Sequence, residues 1–217
     1  MDLTGRLTAW LFLVGALTVI AYGSRASGGK PPKNAVYHWN LAISGVVEYA
    51  IVLGVVAAIA WGGGGRRLLA LRRPVSWPRA LGLSFLVLVA IVVVAGALSS
   101  VLHAGREQGL TPNGWQSRHA AAFATNFVVI AVLAPIVEEL TFRGLGYSLL
   151  ERYGRWIAVA GVGLAFGVAH GLVEGLPVLV FFGSALAWLR SRTQSVFPGM
   201  LLHALFNGAT LVLAVST

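Results

Sequence analysis

The chain has 217 residues, of which 57% are hydrophobic and only 11% are charged, whereas soluble domains carry about 25% charged residues. So few charges cannot cover the surface of a soluble domain of this size, which excludes an ordinary cytosolic enzyme and predicts an integral membrane protein. The chain has no cysteine, so disulfides, cysteine-bound metal centres and thiol nucleophiles are excluded as well. We interpret its net charge of +9 as basic loops that set membrane orientation. It does not indicate nucleic-acid binding, because no basic stripe carries interleaved aromatic residues.

Long apolar runs predict seven helical membrane spans, and hence an all-α fold, a polytopic transmembrane helix bundle. The third run carries no charge, the second carries only Glu48, and the fifth and sixth are short and flank a turn at 171–175. Segments 24–38, 62–79 and 103–119 have the glycine, proline and polar content of loops. The predicted spans are 7–22, 41–61, 80–102, 120–137, 157–169, 176–189 and 196–215.

The distribution of basic residues predicts that the N-terminus lies inside and the C-terminus outside. With that orientation, eleven Lys and Arg residues fall on inside segments and five on outside segments, the bias expected of a membrane protein. Arginine outnumbers lysine 14 to 2, which is typical of GC-rich genomes, so we expect a bacterial protein of the cytoplasmic membrane. The inside residues are Arg6, Arg66, Arg67, Arg72, Arg73, Arg79, Arg143, Arg152, Arg155, Arg190 and Arg192, and the outside residues are Arg25, Lys30, Lys33, Arg106 and Arg118.

Ionisable residues inside the apolar spans are concentrated near the C-terminus. Such a residue costs about 2.5–3.5 kcal/mol on insertion scales, so it is a candidate functional residue by default. Only Glu48 lies within a span of the first half. We therefore predict two regions, spans and loops without a motif at 1–119 and a catalytic membrane core at 120–215. The polar residues of the core are Glu138, Glu139, Arg143, His170, His203 and Asn207.

These residues occur at helical spacing. Glu139 and Arg143 are four residues apart, so they can pair on one helix face, and the same spacing separates His203 from Asn207. Counting from the predicted span ends places Glu138 and His170 at the same depth, about 21–22 Å. The same count places His203 about 10 Å shallower, unless its helix is tilted or starts earlier.

A carboxylate, two imidazoles and an amide facing a watery cavity can hydrolyse a bond in two ways. In one, a glutamate beside a neutral imidazole takes a proton from water, while a second imidazole and an amide N–H stabilise the developing oxyanion. In the other, Glu138, His170 and His203 hold Zn²⁺ with water in the fourth position. The sequence leaves both versions open. Arg143 is interpreted as a fixed cation that keeps a glutamate ionised, and Glu48 as an interhelical hydrogen-bonding group or a protonated carboxyl.

The arrangement resembles the CPBP family of CAAX-processing and bacteriocin-processing intramembrane endopeptidases, over residues 120–215. The resemblance implies that Glu138 and His170 activate water, that His203 and Asn207 stabilise the transition state, and that Glu139 and Arg143 support them. It also implies a peptide or membrane-protein substrate within the lipid bilayer, and it leaves the substrate and the oligomeric state open. The three motifs stand here as Glu138-Glu139-x-x-x-Arg143, Phe166-x-x-x-His170 and His203-x-x-x-Asn207.

The sequence lacks the catalytic motifs of other protease types. It has no His-Glu-x-x-His for a site-2-type zinc protease, no Gly-x-Ser-x-Gly nucleophile elbow, and Asp2 as its only aspartate. Two further function classes stay open. One is a catalytically silent membrane scaffold, such as an immunity or regulatory protein. The other is a proton-coupled transporter that uses Glu48, Glu138 and the histidines as a relay, although no repeated halves are visible.

Overall fold

The computed structural model describes residues 1–28, 34–62, 64–102, 112 and 114–216. Within these residues the chain is helical and contains no strand, which confirms the all-α prediction. Lys30, Lys33 and Arg106, and with them parts of the predicted loops 24–38 and 103–119, lie outside the described residues. The helices are α1 (Leu3–Ala26), α2 (Trp39–Ala60), α3 (Gly65–Leu68), α4 (Trp77–Leu102), α5 (Ser117–Tyr153), α6 (Arg155–Ala169), α7 (Leu176–Thr193) and α8 (Phe197–Ser216), with a short 3-10 turn at Ala35–Tyr37.

Each predicted span falls on one of the seven long helices, apart from Trp61 and Val196 at two ends. Among the helices described, α1, α2, α4, α5 and α8 are long and apolar enough to cross a bilayer, and α6 is a shorter apolar helix. Helix α7 has Arg190 and Arg192 in its last turn. The protein is therefore an integral membrane protein, while the count of seven spans stays a prediction.

Local sequence chemistry accounts for several helix ends. The carboxylate of Asp2 accepts a hydrogen bond from the Gly5 N–H (2.8 Å), which caps the first turn of α1. Pro177 lies in the first turn of α7, where its missing N–H breaks no helical hydrogen bond. Gly154, with φ of +121°, makes the turn between α5 and α6 in a conformation that other residues rarely adopt.

Helix α5 contains two π-helical stretches, at Val129–Leu133 and Glu139–Gly146, separated by the α-helical turn Ala134–Glu138. Pro135 lies in that turn. It lacks an N–H, and its ring clashes with the carbonyl four residues earlier, within the first π stretch, so the regular ladder cannot pass through it. Widened turns of this kind often lie at functional sites. The second stretch carries the Glu139-x-x-x-Arg143 pair and is buried throughout.

The N-terminal helices pack directly against the helix that carries the first motif. The indole N–H of Trp10 donates to the Thr141 carbonyl (2.9 Å) from a buried position. Gly146 allows this contact, because any Cβ at this position would collide with the Trp10 ring. Trp10, Val14, Val52 and residues of the C-terminal half belong to one hydrophobic core. The two regions predicted from the sequence therefore share a core.

The segments that the charge count places on one side of the membrane lie together at one end of the bundle. Arg6, Arg67, Arg72 and Arg190 line one depression there. At the opposite end, the Tyr22 hydroxyl donates to the Leu172 carbonyl (3.1 Å) in the turn between α6 and α7. These four arginines and the turn between α6 and α7 thus lie at opposite ends of the bundle, and the direction of the bundle in the membrane stays a prediction.

Candidate active site

Glu139 and Arg143 form the ion pair predicted from their spacing. The Arg143 Nη1 lies 2.9 Å from the Glu139 Oε1, and both side chains are completely buried. The Arg143 Nη2 also donates to the Gly183 carbonyl (3.2 Å), and its guanidinium lies over the Phe166 ring at 4.3 Å. A Cβ at Gly199 would lie 2.5 Å from the Glu139 Oε2, so glycine makes room for the carboxylate. Arg143 is therefore fixed from three sides.

His203 lies between the two adjacent glutamates. Its Nδ1 is 3.3 Å from the Glu139 Oε1, and its Nε2 is 3.7 Å from the Glu138 Oε2. Glu139 therefore orients the ring through a hydrogen bond at Nδ1, as second partners orient functional histidines elsewhere. The 3.7 Å separation exceeds hydrogen-bond distance. Nε2 thus faces Glu138 without a direct bond to it.

Glu138 is the more accessible of the two carboxylates, with 16% of its side chain exposed. Its Oε1 accepts a hydrogen bond from the Tyr49 hydroxyl of α2 (3.3 Å). Glu48, which precedes Tyr49 in the sequence, interacts electrostatically with Glu138 and His170. Tyr49 of α2 thus contacts Glu138 of the first motif.

Tyr49 is not among the residues predicted from the sequence, which in the first half of the chain include only Glu48. The available signal is its place beside Glu48 in the middle of an apolar run. A tyrosine hydroxyl in that position needs a hydrogen-bond partner within the protein, because hydrocarbon offers none. That argument requires a partner for Tyr49, but it does not identify Glu138.

His170 follows α6 directly and is half-buried. Its Nδ1 lies 2.7 Å from the Phe166 carbonyl, so the tautomer that donates there leaves Nε2 as an acceptor. The Phe166 ring centre is 4.4 Å from that of His170 and 6.0 Å from that of His203. The phenylalanine of the second motif is therefore a packing residue that both imidazoles contact.

Asn207 joins α8 to the first π-helical stretch of α5. Its side-chain N–H donates to the Ile130 carbonyl (3.0 Å). This hydrogen bond connects two helices, and it uses one of the two N–H groups of the amide. The predicted role of Asn207 in stabilising an oxyanion stays a prediction.

His203 lies at the depth of Glu138, so the difference of about 10 Å, which the count gives for an untilted helix that starts at the membrane surface, is absent. That count assumed that Val196 marks the membrane surface. Instead Val196 is completely buried, and its N–H donates to the Ala70 carbonyl (3.3 Å). Helix α8 therefore begins inside the protein, and its seventh residue, His203, reaches the glutamates.

In the zinc-dependent alternative, Glu138, His170 and His203 would bind one Zn²⁺ ion. Two ligands of one tetrahedral Zn²⁺ lie about 3.3 Å apart, since each ligand is about 2.0–2.2 Å from the ion. The Glu138–His203 separation of 3.7 Å approaches this value. Among the described residues, however, no three His, Asp or Glu side chains form a group that could hold a metal ion. As arranged, these three residues do not make a three-ligand zinc site.

An apolar groove of about 610 Å³ lies between α2 and α5, and none of the candidate site residues lines it. Its lining includes Val46, two residues before Glu48, and Ile136, two residues before Glu138. An apolar surface between two membrane helices therefore lies close in sequence to the candidate site.

The fold and these residues define a class, an all-helical integral membrane protein with glutamate, histidine and arginine side chains buried among its helices. Residues 119–209 match the model of a family described as type II CAAX prenyl endopeptidase Rce1-like. The match covers less than half of the chain, and over this region it confirms the resemblance predicted from the motifs. The region contains all six candidate site residues.

A relative from Lactococcus lactis subsp. lactis (strain IL1403), the UPF0177 protein YaiF, is 33% identical over 85 residues. The match covers 39% of this chain and 38% of that protein, so it spans well under two thirds of the relative. No solved structure matches this chain.

Proposed function

We propose that the protein is an intramembrane endopeptidase, which hydrolyses a peptide bond of a membrane-associated or leader-peptide substrate with water activated by glutamate and histidine. The observation that carries the proposal is the position of Glu138. It lies within a bundle of membrane helices, 3.7 Å from His203, in the region that matches the Rce1-like family. A partly exposed carboxylate facing an oriented imidazole is suited to acid–base chemistry on water.

In the proposed reaction, Glu138 and His170 take the proton from the attacking water. The Tyr49 hydroxyl holds the Glu138 Oε1, which leaves Oε2 as the basic atom on the side of His203. His170 donates to the Phe166 carbonyl through Nδ1, so its Nε2 is free to accept a proton. The water oxygen bonds to the peptide carbonyl carbon, and when a proton passes to the leaving nitrogen the C–N bond breaks, which releases an amine and a carboxylic acid.

His203 and Asn207 are proposed to stabilise the tetrahedral intermediate. Because Glu139 binds the Nδ1 side of His203, the ring is oriented with Nε2 towards Glu138, where an N–H at Nε2 can donate to the oxyanion. Asn207 keeps a second amide N–H beyond the one bonded to Ile130. In this arrangement Glu139 is a positioning residue that acts through His203, and Arg143 holds Glu139.

The proposed substrate is a peptide with an apolar part. The groove between α2 and α5 is lined by apolar side chains such as Val46, Val132 and Ile136, and it could hold a lipid chain or a hydrophobic segment. Prenylated C-terminal peptides and apolar leader peptides both meet this requirement. We place the protein in the bacterial cytoplasmic membrane, with the N-terminus inside.

The test is reconstitution of the full chain into liposomes with both classes of peptide, followed by mass spectrometry of the products. Wild type should cleave at least one class, and Glu138→Gln should not cleave it. Glu174→Gln, which changes an exposed acid in the turn after α6, is the matched control and should cleave normally.

Two outcomes would contradict the proposal. Cleavage by Glu138→Gln at the wild-type rate would refute the mechanism. Folded wild type that cleaves none of the peptides would favour the catalytically silent scaffold. A chelator arm tests the zinc version, since loss of cleavage that Zn²⁺ restores would establish a metal requirement.

A further inference from the structure

A second polar site lies at the end of the bundle opposite to the turn between α6 and α7. It is a depression of about 610 Å³ formed by the start of α1, the region of α3, the end of α5 and the end of α7. Glu151 in its wall is 13 residues beyond Glu138 on α5, so it lies about 20 Å away along the helix. The charged side chains that line it are Asp2, Arg6, Arg67, Arg72, Glu151 and Arg190.

Arg190 is the most enclosed of these side chains, with 3% exposure. Among the described residues, its Nε and Nη1 have no hydrogen-bond partner. Its guanidinium lies over the Tyr147 ring at 5.1 Å and interacts electrostatically with Glu151. The Glu151 carboxylate, however, accepts its hydrogen bond from the Tyr147 hydroxyl (3.4 Å). A buried guanidinium without close partners is costly, and an anion that enters the depression would remove that cost.

The neighbouring arginines are held in place by backbone carbonyls. Arg6 is 7% exposed, and it donates to the carbonyls of Met1 (3.2 Å) and Trp61 (2.8 Å), while its Nη1 has no partner among the described residues. Arg72 donates to the backbone carbonyl of Gln194 (2.6 Å) and to its side-chain oxygen (2.9 Å). These contacts fix the guanidinium groups before any ligand arrives, which lowers the entropic cost of binding.

The charge of the depression favours an anion. Four arginines face two carboxylates, and the Asp2 carboxylate is already engaged by the Gly5 N–H. Basic residues in loops on the inside of a membrane protein are expected from its topology alone. Topology accounts for exposed arginines such as Arg67, but it does not require Arg6 and Arg190 to be buried with unpaired N–H groups.

We propose that this depression binds a phosphate group, with Arg190 and Arg6 as the enclosed donors and Arg67 at the rim. Guanidinium groups match the geometry of phosphate oxygens better than any other side chain. The depression lies at the end of the membrane helices, so the phosphate belongs either to the headgroup of an anionic phospholipid or to a soluble phosphate. The proposal is independent of the reaction at Glu138.

The experiment measures the melting temperature of the full chain in an uncharged detergent. Three ligands are titrated, namely dioleoyl phosphatidylglycerol, dioleoylglycerol with the same chains and no phosphate, and inorganic phosphate. We expect the first to raise the melting temperature in a saturable way and dioleoylglycerol to have no effect. Saturable stabilisation by inorganic phosphate as well would assign the site to soluble phosphates.

The matched variants are Arg67→Gln and Arg66→Gln, which change adjacent exposed residues of α3. Arg67 lines the depression, and Arg66 does not. Arg67→Gln should weaken binding about ten-fold, because one charge-assisted hydrogen bond is lost, and Arg66→Gln should leave it unchanged. Arg190→Gln, where it folds, should abolish saturable binding. Equal losses in Arg66→Gln and Arg67→Gln, or no response of wild type to any phosphate ligand, would overturn the proposal.

Discussion

Glu138 and Glu139 are neighbours in the chain, but they lie in very different surroundings. Glu139 is completely buried, and it contacts Arg143 at 2.9 Å and His203 at 3.3 Å. Glu138 is partly exposed, and the tyrosine hydroxyl of Tyr49 is its hydrogen-bond donor. The buried carboxylate is bound to a cation and shielded from water, while the partly exposed one is open to water. In the proposed mechanism these surroundings give Glu139 a positioning role and Glu138 the reactive role.

The largest expected effect is the loss of stability when Arg143, the ion-pair partner of Glu139, is removed. Arg143→Ala leaves the Glu139 carboxylate buried without its partner, so we expect a loss of about 3–5 kcal/mol of stability. The yield of folded protein and its melting temperature in detergent measure this loss. The double variant Glu139→Gln/Arg143→Gln removes both charges and should recover part of it. An Arg143→Ala protein with wild-type yield and no turnover would instead place Arg143 in the catalytic machinery.

Asn207→Ala should have the next largest effect. Loss of an oxyanion donor lowers turnover by about 10²–10³, while loss of its hydrogen bond to Ile130 costs only about 1 kcal/mol of stability. The control is Asn126→Ala, because the Asn126 side chain donates to the carbonyls of Val36, His38 and Ala122, which is a structural role. Single-turnover cleavage in liposomes separates the two variants. Equal effects on turnover would show that Asn207 only joins helices.

Tyr49→Phe should have a smaller effect, about a ten-fold loss of turnover with little change in the KM. The phenyl ring keeps the packing of Tyr49, but Glu138 loses the donor that orients it. Tyr37→Phe provides the control, since the Tyr37 hydroxyl donates to the Gly114 carbonyl away from the glutamates. Its turnover should stay at the wild-type value. If Tyr49→Phe also retained wild-type turnover, Tyr49 would have no part in positioning Glu138.

Much of the helical architecture could be predicted from the sequence, because apolar runs of this length have few alternatives in a membrane. The Glu139–Arg143 ion pair could be predicted too, since spacing determines which residues share a helix face. The contacts between helices could not be predicted from the sequence. Spacing does not show that Tyr49 of α2 meets Glu138, or that Asn207 binds Ile130.

The depth of His203 could not be predicted for a related reason. Counting residues locates a side chain only when the helix starts at the membrane surface. Val196 looks like such a start, but it is buried against Ala70. The π-helical stretches of α5 could not be predicted from the sequence either, because the apolar pattern around Pro135 also fits an ordinary α-helix.

The most direct test of the division between the two glutamates compares Glu138→Gln with Glu139→Gln in one preparation. Both substitutions remove one negative charge and keep the size of the side chain. For each variant the melting temperature in detergent and the turnover in liposomes are measured. We predict that Glu138→Gln melts like wild type and has no measurable turnover, while Glu139→Gln melts at a lower temperature and keeps some turnover per folded molecule. The reverse pattern, with Glu138→Gln unstable and Glu139→Gln stable but inactive, would contradict the assignment of Glu138 as the reactive carboxylate.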